Sequence, residues 1–303
     1  MRTILRHFAV ASLLFVISVM GGAAPAAAAE QPVSWDALSA YATGTGFDVP
    51  PPGANRWNCE PSAAHPRPVV LAHGMVGNKN SAWQALAPTL ANNGYCVFVL
   101  TYGKTWYSGS VGGVADLNGS AKELAAFVDK VRNATGTSTV DLVGYSEGGN
   151  LGRLYIKNEG GRTKVHTYVS LAGVNMGPPT MSGLLTMLKH IPGGLEVLRA
   201  GGPAFDQLTD PAYFASLNKP AATYPGINYT AIASSTDEVV TPYELALLPA
   251  AGNVTNRTIQ SLCPDDKVGH LGITYDKTAV AWTLNALDPA HPQDVPCDTG
   301  LPL

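Results

Sequence analysis

The 303-residue chain has no surplus of basic charge, only four cysteines and, past its first stretch, no long apolar run. Each absence removes a class of function. Nineteen Lys and Arg against 22 Asp and Glu give a formal net charge of −3, without the basic patch or stripe that marks nucleic-acid binding. Cys59, Cys96, Cys263 and Cys297 form no C-x-x-C pair, so neither a zinc site nor a dithiol redox centre is supported, and no cofactor is expected. No segment after the N-terminal one approaches the ~20 apolar residues of a membrane span. No internal repeat, low-complexity stretch or linker to a second domain interrupts residues 30–303. Charged residues make up only 14% of the chain while Gly and Pro are frequent, a composition that fits a turn-rich extracellular enzyme.

What is present begins with an address. Arg2 and Arg6 supply a positive start, Phe8 to Met20 an apolar core, and Ala27-Ala28-Ala29 before Glu30 a small-residue cleavage site, the pattern of a signal peptide on a secreted protein. No cysteine stands there to take a lipid. Removal of residues 1–29 leaves 274 residues and 17 basic against 22 acidic side chains, a net charge near −5. That length suits one α/β domain, expected as a monomer. Four cysteines in an exported chain suggest two disulfides, for which three connectivities exist. The local pairing, Cys59–Cys96 with Cys263–Cys297, is preferred because each bond closes one loop beside a core strand. The others stay open.

β-branched apolar runs alternate with helical patterns, which predicts a mainly parallel sheet with helices on both faces. Strands are expected at 68–72, 96–100, 139–143, 165–171, 228–233 and 254–261. Helices are expected over Ala82 to Ala91, behind a capping box at Ser120-Ala121-Lys122-Glu123, over Gly149 to Glu159 and over Lys277 to Leu287.

The strongest chemical signal is Gly144-Tyr145-Ser146-Glu147-Gly148. G-x-S-x-G is a modest match alone. Here it follows one expected strand and opens a helix, the setting of a nucleophile elbow. A serine needs a base, and the partners should follow as an acid and then a histidine. Among the later histidines, His166 and His190 fall in regular elements and His291 in the proline-rich tail. His270 lies in a loop after the last strand, between Gly269 and Gly272, and is the expected base. Asp237 falls just past the strand ending at Ala233 and is the expected acid; Glu238 competes, with Asp206 and Asp210 behind. An oxyanion hole needs two backbone donors. The amide of Glu147 and that of Met75, in the loop opened by His73-Gly74, are the candidates.

These stretches together resemble the bacterial secreted class 2 lipase family, triacylglycerol lipases and esterases with an α/β-hydrolase fold. The resemblance runs from about Trp35 to Cys297, through residues 68–74, 94–98, 140–149, 237–243, 262–264 with His270, and 284–289. It implies a Ser146–Asp237–His270 triad, oxyanion amides at Met75 and Glu147, both local disulfides and chemistry without a metal. Three features depart from the family. Tyr145 and Glu147 stand where His and Gln are common; Asn175-Met176-Gly177-Pro178-Pro179 replaces an Asn-His-Gly element; and an additional cysteine pair is missing near Gly201-Gly202-Pro203.

The expected reaction is hydrolysis of carboxylic esters of lipids through an acyl-enzyme. A cap-like segment over about 176–225 would contribute Met181, Leu184, Leu185, Met187, Leu188 and Ile191 to an apolar wall over the acyl chain, with transient contact to a lipid–water interface. The alternatives are a short-chain or polyester esterase, an acyltransferase with the same triad, and a non-catalytic binding module.

Overall fold

The computed structural model describes residues 29–303; the leader segment read from Arg2 onward lies outside them. Six short strands form one parallel sheet: β1 (Val69–Ala72), β2 (Val97–Leu100), β3 (Val140–Tyr145), β4 (Val165–Leu171), β5 (Asn228–Ala233) and β6 (Val254–Thr258), in the order β2-β1-β3-β4-β5-β6. The helices are α1 (Ala37–Gly44), α2 (Leu86–Asn92), α3 (Leu117–Thr135), α4 (Glu147–Asn158), α5 (Leu184–Leu188), α6 (Gly194–Arg199), α7 (Pro203–Thr209), α8 (Pro211–Leu217), α9 (Ile259–Leu262) and α10 (Lys277–Leu287). Among the described residues, none is long and apolar enough to cross a membrane.

The central strands read as continuous apolar runs because both faces are covered. Val69, Leu71, Val97, Val99 and Val143 pack into one core layer, while Val70, Ala72, Phe98, Leu100 and Leu142 pack into the other. Strand order reverses between β1 and β3, and ligands bind outside the carboxyl ends of strands at such a switch point. The register pairs Ala72 with Gly144. It thereby sets the His73-Gly74-Met75 loop directly beside Tyr145-Ser146-Glu147.

Several boundaries differ from the sequence expectation, three of them for a specific local reason. Ser120 does not cap α3. Asp116 does, accepting from the Gly119 amide at 2.9 Å, which lets Leu117 join the buried face. Glu123 instead accepts from the Gly103 amide at 3.1 Å. α2 starts at Leu86 rather than Ala82 and places Pro88 in its first turn, where the missing N–H costs no helical bond. β6 stops at Thr258, and the chain turns into α9. That turn swings Gln260 across the end of β5, where it accepts from the Ser235 amide at 2.7 Å and donates to Ser234 Oγ at 2.9 Å. The cysteines pair locally, Cys59 with Cys96 and Cys263 with Cys297, at Cα separations of 5.7 and 5.4 Å.

Candidate active site

The turn from β3 into α4 sets the geometry. Ser146 has φ 55° and ψ −119°, a left-handed conformation that costs a non-glycine residue of order 1–3 kcal/mol. The chain is held there by close approach: a Cβ on Gly148 would lie 2.0 Å from the Ala72 carbonyl oxygen, and one on Gly144 2.3 Å from that of Gly148. Neither position accepts a side chain. The elbow stays tied to the sheet through the Ser146 amide, which donates to Leu171 O at 2.9 Å.

Ser146 Oγ lies 2.8 Å from His270 Nε2, and His270 Nδ1 lies 2.8 Å from Asp237 Oδ2. Both His270 and Asp237 are buried. The other carboxylate oxygen, Asp237 Oδ1, accepts from the amides of Val239 and Val240 at 2.9 and 2.8 Å, which fixes the carboxylate's angle. Burial disfavours a charged His270, but the Asp237 charge and hydrogen bond, with Glu238 nearby, outweigh it and raise the imidazole pKa above its ordinary value. The competing acid serves another atom: Glu238 Oε2 accepts from the backbone amide of His270 at 3.0 Å. Asp206 lies in α7 and Asp210 caps α8 through the Ala212 amide at 2.8 Å; neither is among the side chains hydrogen-bonded to His270. His166 sits on β4 beside Asp141, His190 just beyond α5 and His291 against Asp288 in the tail.

Met75 follows β1 in a tight loop. The Gly77 amide donates to Gly74 O at 3.2 Å, and Val76 takes φ 57°. Among the described residues, neither the Met75 nor the Glu147 amide donates to a backbone acceptor in the turns and loops. His73 braces the loop from beneath: its Nδ1 lies 2.7 Å from Gly74 O, and its Nε2 receives the Tyr102 amide at 3.4 Å. Burial drives the His73 pKa down to about 4, so the ring is neutral.

Sequence reasoning missed several supporting side chains. Tyr145 donates its hydroxyl to His270 O at 3.0 Å and its ring lies 5.3 Å from the imidazole; its place beside the nucleophile was the available signal. Tyr102 and Gln260 carried no motif.

The pocket above Ser146 is narrow, with a free volume of about 20 Å³, and is lined by Met75, Tyr145, Met181, Leu184, Met187, Ile191, Leu208 and Val239, among others. Of the six residues expected to form its wall, Leu188 is buried in the core and Leu185 is 59% exposed. A larger hollow of about 670 Å³ opens near the amino ends of β4 and β5, beside α10. His166 and Thr167 line it with Nδ1 and Oγ1 3.0 Å apart, at the opposite end of the sheet from Ser146. Among the described residues, no three His, Cys, Asp or Glu side chains converge as a metal centre.

A parallel sheet with this strand order, an elbow serine after β3 and partners delivered beyond β5 and β6 define an α/β-hydrolase fold. The chain belongs to the class 2 lipase family, which it matches over residues 66–279. Its fold is similar to that of a Bacillus licheniformis lipase in its mature form (TM-score 0.56, 18% identity, 80% of this chain and 98% of that one). It is also similar to Aspergillus fumigatus lipase B (TM-score 0.56, 18% identity, 78% of this chain), of which the match spans 56%.

Proposed function

We propose that the protein is a secreted carboxylic ester hydrolase that works through an acyl-enzyme on Ser146 and prefers esters of lipids. The observation that carries this reading is the run of 2.8 Å contacts from Asp237 through both His270 nitrogens to Ser146 Oγ, at the floor of an apolar pocket. With its Nδ1 proton given to Asp237, neutral His270 presents Nε2 as an acceptor. It takes the Ser146 proton as Oγ attacks the ester carbonyl. The oxyanion forms against the Met75 and Glu147 amides. Collapse expels the alcohol, which leaves with the proton from His270, and His270 then activates water to release the acid. Only the neutral imidazole serves as base, so the raised His270 pKa moves the acid limb of the rate profile to higher pH.

Lipid preference is supported by the Met, Leu and Ile lining, which offers an acyl chain no hydrogen-bonding partner. Secretion is supported by the leader pattern and by two disulfides, which persist in oxidising compartments. Contact with a lipid–water interface is supported by Trp106 and Leu185, 95% and 59% exposed. The test is hydrolysis of p-nitrophenyl esters of graded chain length and of emulsified triacylglycerol, beside Ser146→Ala. A fall of about 10⁴-fold or more is expected for the variant. Undiminished turnover by Ser146→Ala sinks the nucleophile, and a preference confined to acetate sinks the lipid assignment.

A further inference from the structure

Glu147 is fully buried one residue from the nucleophile. Its Oε1 lies 3.1 Å from Tyr102 Oη, and that hydroxyl lies 2.6 Å from the His73 carbonyl oxygen. Proton counting decides the direction of this chain. Tyr102 has one hydroxyl proton, and the His73 carbonyl can only accept. The Tyr102 proton therefore goes to His73 at the shorter contact, and the second contact is a hydrogen bond only when Glu147 carries a proton and donates it to Tyr102 Oη. The surroundings agree. Tyr102 and Tyr213 are the titratable groups facing Glu147, with His73 neutral behind Tyr102, and among the described residues no cation pairs with the carboxyl. Burial raises the Glu147 pKa well above the carboxylate range. Gly113 packs closely against the carboxyl and the Met75 loop: a Cβ there, at φ +67°, would meet Glu147 Oε1 at 2.9 Å and Met75 Cα at 3.0 Å.

The far end of the chain is the loop that carries Met75. His73 stacks on Tyr102 with ring centroids 4.4 Å apart, and its Nδ1–H donates to Gly74 O at 2.7 Å. We infer that Glu147 acts as a neutral carboxylic acid whose proton, relayed through Tyr102, fixes the His73-Gly74-Met75 loop against the elbow, making it a positioning residue for the oxyanion hole. Its backbone amide supplies one proposed donor while its side chain aligns the other. This rests on the reading of Ser146 as nucleophile. It also accounts for an acid beside a centre that must stabilise negative charge: the acid is uncharged. A carboxylate there would oppose the oxyanion and leave the Tyr102 contact without a proton.

The test uses the full secreted chain, with p-nitrophenyl butyrate as substrate and infrared spectra near neutral pH. The wild-type-minus-Glu147→Gln difference spectrum should show the C=O band of a protonated carboxyl group. Glu147→Gln retains a neutral donor and should keep kcat within about threefold of wild type. Glu147→Leu should lower kcat by about 10²-fold with little change in KM, the loss of an oxyanion donor. Should Glu147→Leu fail to fold, Tyr102→Phe breaks the same relay within a conserved shape and should lower kcat about tenfold. Carboxylate bands in the difference spectrum overturn the inference, as does a Glu147→Gln enzyme as slow as Tyr102→Phe. Ser146→Ala in the same assay separates the two readings: turnover that survives it removes the nucleophile, whereas the infrared result reports Glu147 alone.

Discussion

Two regions meet over Ser146 and are held by different forces. The loops at the carboxyl ends of β1, β3, β5 and β6 are laced by directional bonds: Asp237 to two amides and His270, Glu238 to the His270 amide, Tyr145 to the His270 carbonyl, Gln260 across Ser234 and Ser235. The stretch of α5 and α6, of which α5 lines the same pocket, is unlike them. Among the described residues, no side chain from 184 to 200 makes a hydrogen bond or ion pair; Leu184, Met187, Leu188 and Ile191 hold it by apolar burial. The chain on either side of that stretch is anchored, since the buried Arg153 donates to Asn175 O, to Asn218 Oδ1 at 2.5 Å and to Ala222 O at 3.1 Å. Directional bonds fix reacting atoms to fractions of an ångström, as chemistry requires. Apolar contact is non-directional and tolerates changes of shape. On the proposed function, the reaction belongs to the first region and the choice of substrate to the second.

The sharpest break of the comparison comes from the polar side. His270→Ala should lower kcat/KM by about 10⁴-fold or more, and Asp237→Ala by less, about 10²–10⁴-fold. Glu238→Ala should cost about tenfold, because it frees the His270 backbone and not its imidazole. Steady-state kinetics on one short ester give the ranking, and Glu238→Ala slower than Asp237→Ala would reverse the roles of the two acids. The pH profile adds a sign. Glu238 helps raise the His270 pKa, so Glu238→Gln should move the acid limb to lower pH. Were the limb to stay where it is, Glu238 would have no electrostatic hold on the base.

The polar region was also the more legible. Ser146, Asp237 and His270 were readable because strand–turn–helix punctuation and chain order fix where such groups emerge, and parallel strands bring their carboxyl ends together. The supporting residues escaped because burial gives a lone Tyr102 or Gln260 no pattern to stand out from. The Ser120 capping box failed for a related reason: the motif was real, but Asp116 four residues earlier let another apolar residue into the core. In α5, Leu184 and Leu185 are adjacent and alike in sequence, yet one is buried and the other exposed. Short helices without a hydrogen-bonded frame leave that orientation to packing, which periodicity over five residues does not encode.

The apolar region predicts a change of selectivity without loss of chemistry. Met187 lines the pocket from α5, and Met187→Trp should fill space that a long acyl chain needs. Competitive assays of octanoate against butyrate esters should show the long-to-short ratio of kcat/KM falling about tenfold, the scale at which a hydrophobic pocket resolves a methylene or two. Hydrolysis of butyrate should persist within a few-fold. A matched loss on both esters would show that α5 sets the reacting geometry as well, and the division between the two regions would fail.

The smallest effect lies at one strained place in the polar region. Asp266 and Asp276 bracket the His270 loop, each giving Oδ1 to a backbone amide, Val268 at 2.9 Å and Ala279 at 2.8 Å. Their carboxyls touch, and both Oδ2 atoms are buried without a donor. Two such groups share a proton rather than both ionise. Burial, with Asp266 and Asp298 nearby, pushes Asp276 up to about 7. A raised carboxyl pKa means that the native state holds a proton the unfolded chain releases near pH ~4, so stability declines as pH rises from there towards about 7 and then levels. Asp276→Asn supplies an Nδ2 donor to Asp266 and keeps the Oδ1 cap on α10. It should remove that part of the slope and raise Tm in mildly alkaline buffer by about 3 °C, the shift that ~1 kcal/mol gives a domain of this size. Parallel Tm-against-pH curves for the variant and wild type would show that the pair carries no shared proton, leaving the His270 loop with no electrostatic weak point.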